Sequence, residues 1–428
     1  MEQNALPPKQ TALLIIVAAL GYFVDIYDLI LFNVVKKESL ISLGVAEAAL
    51  KDTGILLFNW QMGGMLVGGI LWGILGDKKG RLKVLFGSIL LYSFANVLNA
   101  FVTDIPSYAA IRFIAGVGLA GELGAGITLV SEVMSKENRG YGTMIIVTFG
   151  ALGAVLAAVV GGEGRMIAAA IEDVTGVLLA NWQVAYIIGG ALGLFLLILR
   201  FGTLESKMFK NLNHSGVKRG EFLSLFKTRT QFIKYLKCIC IGLPVWYAIG
   251  ILIALAESFT GSQFLGISGK VLNAQAVMYA YLGLSAGDLL SGLLSQLLKS
   301  RKKVVILYMA LSAVMVWMYF FTTKGSSPEY FYFICFMVGA ATGYWALFVT
   351  IAAEQFGTNI RSTVTTTVPN FVRGAVIPIT AGFKFFEGPL GTLGSALLIG
   401  AICIGLALLS TLGIEETFGK DLNYTEVL

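Results

Sequence analysis

Residues 12–35 read ALLIIVAALGYFVDIYDLILFNVV. Crossing a bilayer core of about 30 Å takes about 20 apolar residues as helix, at 1.5 Å per residue. This stretch is long enough to cross and too long for the apolar core of a cleaved leader. It is predicted to be a retained first span. It also holds two acids, Asp25 and Asp28. An ionisable residue at membrane depth costs about 2.5–3.5 kcal/mol on insertion scales, so these two carboxyls suggest function.

The rest of the chain extends the same pattern. Of its 428 residues, 57% are hydrophobic and 13% charged, against roughly 45–50% and about 25% in a soluble domain. The apolar runs are continuous and long, which excludes a barrel of short alternating strands. Further spans are predicted near 53–75, 84–102, 107–132, 141–161 and 181–201. After a charged stretch come 235–257, 272–298, 304–322, 330–352, 363–386 and 391–413. The expected fold is all-α: twelve transmembrane helices as two six-helix bundles, at 1–202 and 235–428, joined by a cytoplasmic linker at 203–234.

Basic residues orient the chain. With an internal N-terminus, 22 of the 31 lysines and arginines fall inside, 7 outside, and Arg112 and Arg373 within spans. Both termini are therefore expected in the cytoplasm. The net charge of +6 reads as a topology signal, and no nucleic-acid partner is expected. Cys238, Cys240, Cys335 and Cys403 sit in or beside apolar runs, and the single histidine, His214, lies in a polar loop. That spacing offers no metal site, no cofactor is implied, and no nucleophile–base constellation suggests an enzyme.

The two halves repeat. Glu132 and Arg139 in SEVMSKENRG return with the same spacing as Glu354 and Arg361 in AEQFGTNIRS. Residues 73–83, GILGDKKGRLK, have a weaker echo at 292–302 in GLLSQLLKSRK, with Gln296 where Asp77 stands. Both halves enter from one side, which predicts a parallel repeat about the membrane normal.

Residues 73–83 resemble the signature loop of the major facilitator superfamily, G-x-x-x-D-[RK]-x-G-R-[RK]-[RK], with Leu82 in place of a basic residue. The segments LESKMF (204–209) and ETFGKDL (416–422) are similar to sugar-porter segments without their prolines. RFIAGVGLAGELGAG (112–126) and YFVDIYDLILF (22–32) resemble helices of metabolite–proton symporters. The fifth span lacks the proline of drug antiporters, and CICIGLPVWYAIGIL (238–252) lacks the paired glutamines of hexose porters. The resemblance implies alternating access. It also implies a gating set of Asp77, Arg81, Glu132 and Arg139, with Glu354 and Arg361, which latches the inside closed.

The intramembrane charges suggest the chemistry. Arg112 is expected to pair with one aspartate, more readily Asp28 by depth, leaving Asp25 as the proton carrier. Arg373 has no acid within a turn of its own helix and reads as an anion site, with Glu122, Glu257 and Asp288 able to neutralise it from elsewhere. Tyr27, Trp60, Trp246, Tyr247, Tyr281, Tyr344 and Trp345 are candidate cavity linings. The expected function is proton-coupled symport of a small organic anion, such as a carboxylate metabolite. The expected setting is a bacterial inner membrane, with the protein working as a monomer on protons and its small-molecule substrate. A neutral sugar or polyol is the nearest alternative, and a non-transporting membrane sensor a distant one.

Overall fold

The computed structural model describes residues 8–176, 178–200, 218–261 and 264–426. Among them, eleven helices are long and apolar enough to cross a membrane. The last, Arg361–Leu412, has 52 residues, about 78 Å as a continuous helix and more than twice a bilayer core of about 30 Å. It breaks at Gly391, where φ is 69° and ψ is 170°, a conformation open to glycine but not to residues with a Cβ. That break divides the run into the eleventh and twelfth spans.

The first six spans are Pro8–Ser42, Leu50–Lys79, Arg81–Asn99, the broken helix Ile105–Leu119 and Glu122–Val133, Arg139–Thr175, and Asn181–Leu199. The next four are Arg229–Tyr247 continuing as a π-helix through Ala248–Ile253, Asn273–Leu297, Arg301–Phe321, and the broken helix Pro328–Thr342 and Trp345–Gln355. The fifth span runs well past the expected 141–161, because nothing in GGEGRMIAAAIED stops a helix until Gly176, which adopts φ 69°. The sugar-porter-like segment 204–209 and the first part of the expected linker, 203–217, lie outside the described residues.

The repeat is visible in local chemistry. Asp104 caps the fourth span by accepting from Ser107 N at 2.8 Å, and Ser327 caps the tenth by accepting from Tyr330 N, each with a proline in the first turn. Both spans break midway, at Ala120–Gly121 and at Gly343–Tyr344. Close packing repeats as well. A Cβ on Gly64 would meet the backbone of Phe113 and one on Gly116 that of Gln61, locking second span to fourth; Gly283 and Gly339 do the same between eighth and tenth. Tyr27 Oη donates to Ala185 O at 2.8 Å and Tyr247 Oη to Ala396 O at 2.8 Å, tying first span to sixth and seventh to twelfth. Across the halves, the second span packs on the eleventh and the fifth on the eighth.

Candidate functional site

A cavity of about 340 Å³ lies between the halves, lined by Tyr22, Ile26, Ala151, Trp246, Trp345 and Arg373 among others. Its wall is mostly apolar, and among the described residues Arg373 is its one charged lining residue. Arg373 is buried. Its Nη2 lies 3.8 Å from Asp25 Oδ2 and donates to Tyr22 Oη at 3.3 Å, while Nη1 donates to Asn370 Oδ1 at 3.3 Å. The guanidinium also stands 5.8 Å from the ring of Trp345. Asn370 is fixed in turn, donating to Ala120 O at 2.8 Å where the fourth span breaks.

The Asp25–Arg373 pair is buried but loose. Neither oxygen of Asp25 has a hydrogen-bond partner among the described residues, and Arg373 Nε also lacks one. Trp345 Nε1 is a further unpartnered donor on a cavity-lining residue. Unmade hydrogen bonds in a buried site are costly, so the free donors Arg373 Nε and Trp345 Nε1 suit an incoming group with acceptor oxygens, and Asp25 a proton. Ala151, which stands in the first half where Arg373 stands in the second, lines the same cavity. It presents only a methyl group where its repeat mate carries a charge.

These contacts correct the expected pairing. Arg112 has no acid within 4.0 Å among the described residues: it donates through Nη2 to Gln61 Oε1 and lies 4.8 Å from the ring of Phe32 and 5.7 Å from that of Tyr186. Asp28 stays within its electrostatic reach, and Gly189 makes room for the carboxylate, since a Cβ there would collide with Asp28 Oδ1. Residues three apart on a helix are rotated by about 60°. Asp25 therefore reaches the second half while Asp28 remains inside the first bundle, and depth alone does not distinguish them. The other acids able to neutralise Arg373 are engaged elsewhere. Glu122 pairs with Arg200, Glu257 accepts from Asn273 N, and Asp288 accepts from Ala346 N at 2.9 Å, capping the second piece of the tenth span.

Of the expected aromatics, Trp246, Tyr281 and Trp345 line the cavity. Tyr27, Tyr247 and Tyr344 do not: each spends its hydroxyl on a backbone carbonyl of a neighbouring helix. Trp60 faces outward, 46% exposed and edge-on to Phe113. Tyr22 and Gln61 were not anticipated. Gln61 carried a signal, an amide inside an apolar run, whereas Tyr22 looks like any aromatic of a span.

At one end of the molecule the residues expected to gate converge. Glu132 Oε1 meets Arg81 Nη2 at 2.7 Å and Arg361 Nη1 at 3.4 Å. Glu354 Oε1 meets Arg139 Nε at 2.7 Å and Arg301 Nη2 at 3.5 Å. Each glutamate thus holds one arginine of its own half and one of the other. Asp77 accepts from Ser362 N at 3.1 Å, Thr363 N at 2.8 Å and Thr363 Oγ1 at 2.7 Å, capping the eleventh span across the interface. Gln296 takes the corresponding place in the second half, accepting from Arg301 and donating to Glu137 O. Arg301 is the counterpart of Arg81, and a slip of one position in the echo between the two loops hid it. The C-terminal segment crosses this end too, with Lys420 O and Leu422 O accepting from Arg139 and Arg361 at 2.7 and 2.6 Å.

Two bundles, paired helix breaks and a cavity with a buried charge at their interface define a multi-pass integral membrane protein of the secondary-transporter class. The chain belongs to the Major Facilitator Superfamily, whose model matches residues 18–380. It is 26% identical over 426 residues to the putative niacin/nicotinamide transporter NiaP of Bacillus subtilis, covering 96% of each chain. It is 28% identical to the 3-(3-hydroxy-phenyl)propionate transporter of Escherichia coli, over 85% of this chain and 86% of that one. The solved proton:xylose symporter XylE shares the fold at a TM-score of 0.76 and 15% identity, with 98% of both chains covered. The protein is a transporter of a small organic solute by alternating access, not an enzyme.

Proposed function

We propose that the protein couples proton movement to uptake of a small organic anion, a carboxylate with an apolar or aromatic body. The observation that carries this reading is the Asp25–Arg373 pair beside an aromatic-lined cavity. A guanidinium binds a carboxylate through two parallel hydrogen bonds, and it now meets its own carboxylate only at 3.8 Å. An incoming carboxylate takes over Arg373, and Asp25, left without its counter-charge in a low-dielectric site, takes a proton. Substrate and proton then travel as one neutral unit. Arg112 and Asp28 set the field inside the first bundle. The names of the relatives favour the same chemistry, since one of them carries a propionate.

In this reading the converged end is the cytoplasmic latch, and it opens as the halves rock. Asp77, Arg81, Glu132, Arg139, Glu354 and Arg361 are its members. Both termini and the linker near 203–234 are cytoplasmic, the bundles 1–202 and 235–428 are the rocking bodies, and a monomer in a bacterial inner membrane suffices. Equilibrium binding tests the substrate class. The purified protein should bind 3-(3-hydroxyphenyl)propionate or niacin and not xylose, and Arg373→Gln should abolish the tightest binding event. Binding of xylose, unaffected by Arg373→Gln, would replace the anion with a neutral sugar.

A further inference from the structure

A second cavity, of about 550 Å³, lies between the first, second, seventh and eleventh spans. Along the first span its lining begins seven residues beyond Ile26, at Asn33, and ends at Lys36; along the eleventh it begins seven residues beyond Arg373, at Thr380, and ends at Lys384. Both paths put its near edge about 10 Å from the central cavity and its lysines about 15 Å away, on the side away from the latch. Its polar lining is Asn33, Lys36, Asn59, Thr380 and Lys384, set against Phe58 and Phe383.

The charge there is unbalanced. No carboxylate oxygen lies within 4.0 Å of Lys36 Nζ among the described residues; Glu257 acts on it only at longer range. Lys384 pairs with Asp52 at 2.9 Å, but that aspartate is 75% exposed, so water screens the pair and it holds weakly. Asn59 Oδ1 is buried with no partner among the described residues. The central arginine is poorly suited to capture from the mouth, because its charge is matched by Asp25 and it is buried further in.

We propose that this cavity is a capture site where the substrate anion first binds, its carboxylate held between Lys36 of the first half and Lys384 of the second. Its apolar body rests on Phe58 and Phe383, and Asn59 Oδ1 accepts from a hydroxyl where the solute has one. The two lysines come from opposite halves, so the bound anion bridges the bundles before it moves inward. The inference rests on the anion reading above and adds a second place for the same solute.

The test is titration calorimetry in lipid nanodiscs with niacin and with 3-(3-hydroxyphenyl)propionate, on wild type, Arg373→Gln, Lys36→Met/Lys384→Met and Lys36→Arg/Lys384→Arg. Wild type should show two binding events. Arg373→Gln should keep the weaker one, and the methionine pair should lose that event while keeping the other, which also shows that it is folded. The arginine pair should restore two. Each lysine should contribute about threefold in affinity, as expected for a partly screened ion pair, and the outer event should weaken as salt rises. A single event in wild type that Arg373→Gln abolishes and the methionine pair leaves unchanged would overturn the capture site and leave the anion reading standing. A single event that only the methionine pair abolishes would keep the capture site and remove the central one. Binding of neither probe would overturn both.

Discussion

Replacing Asp25 with asparagine separates the proton from the substrate. In the resting protein Arg373 and Asp25 stand 3.8 Å apart, an attraction of about 4 kcal/mol at an effective dielectric constant of about 20. A bound anion must replace that attraction, and wild type recovers it only as Asp25 is protonated. Asparagine removes the competitor. If only a third of the attraction is regained, affinity for a carboxylate at pH 7 rises about tenfold, since about 1.4 kcal/mol is one decade. The empty variant carries an unpaired buried arginine, at a cost of about 3–5 kcal/mol when one partner of a buried pair is removed. Ligand should therefore raise its melting temperature more than it raises that of wild type. Wild type should bind the anion more tightly as pH falls, because protonating Asp25 frees Arg373, and the variant should show a flat profile. In proteoliposomes the variant should exchange labelled for unlabelled solute yet fail to accumulate it under a proton gradient. Unchanged affinity together with intact accumulation would refute Asp25 as the proton carrier.

Asp77→Asn exchanges a charged cap on the eleventh span for a neutral one; the distance between spin labels at Lys136→Cys and Lys299→Cys should broaden toward longer values, and an unchanged distribution would mean that this loop does not hold the halves together. Gly283→Ala places a methyl group against the backbone of Phe336 and should cost about 1–3 kcal/mol, the usual range for overpacking, read as a lower melting temperature in detergent. Glu416 is partly buried, which favours its neutral form, but hydrogen bonds from Ser300 and the backbone N–H groups of Arg301, Phe418 and Lys302 outweigh that and hold its pKa below the usual carboxylate range. A depressed carboxylate contributes stability above its unfolded pKa of about 4.3 and loses it as pH falls through the folded value. Glu416→Gln should therefore lower the melting temperature at pH 7 and converge with wild type in acid.

The fold was legible because a membrane reduces the problem to runs of apolar residues and the side on which the basic residues fall. The meeting of Glu132, Arg139, Glu354 and Arg361 at one end was legible because these four recur at one offset. Arg301 escaped only through a slip of one position between the two loops, and the break at Gly391 explains why one long helix stands where two spans were expected. The central site was half legible. Arg373, Trp246, Tyr281 and Trp345 could be placed by depth, but the partner of Arg373 could not, because depth fixes a residue along the helix and not the direction it faces. Aromatics posed the same difficulty. Tyr27, Tyr247 and Tyr344 sit in apolar runs like the lining residues, yet their hydroxyls serve helix contacts, a use that only neighbouring carbonyls reveal.

Uptake of labelled 3-(3-hydroxyphenyl)propionate and niacin into proteoliposomes, recorded together with internal pH, tests the coupling most directly. With an inward proton gradient the solute should accumulate above its external concentration while the lumen acidifies in step, and Arg373→Gln should abolish both signals. Solute that only equilibrates, with no acidification, or xylose entering where the carboxylates do not, would contradict proton-coupled anion transport.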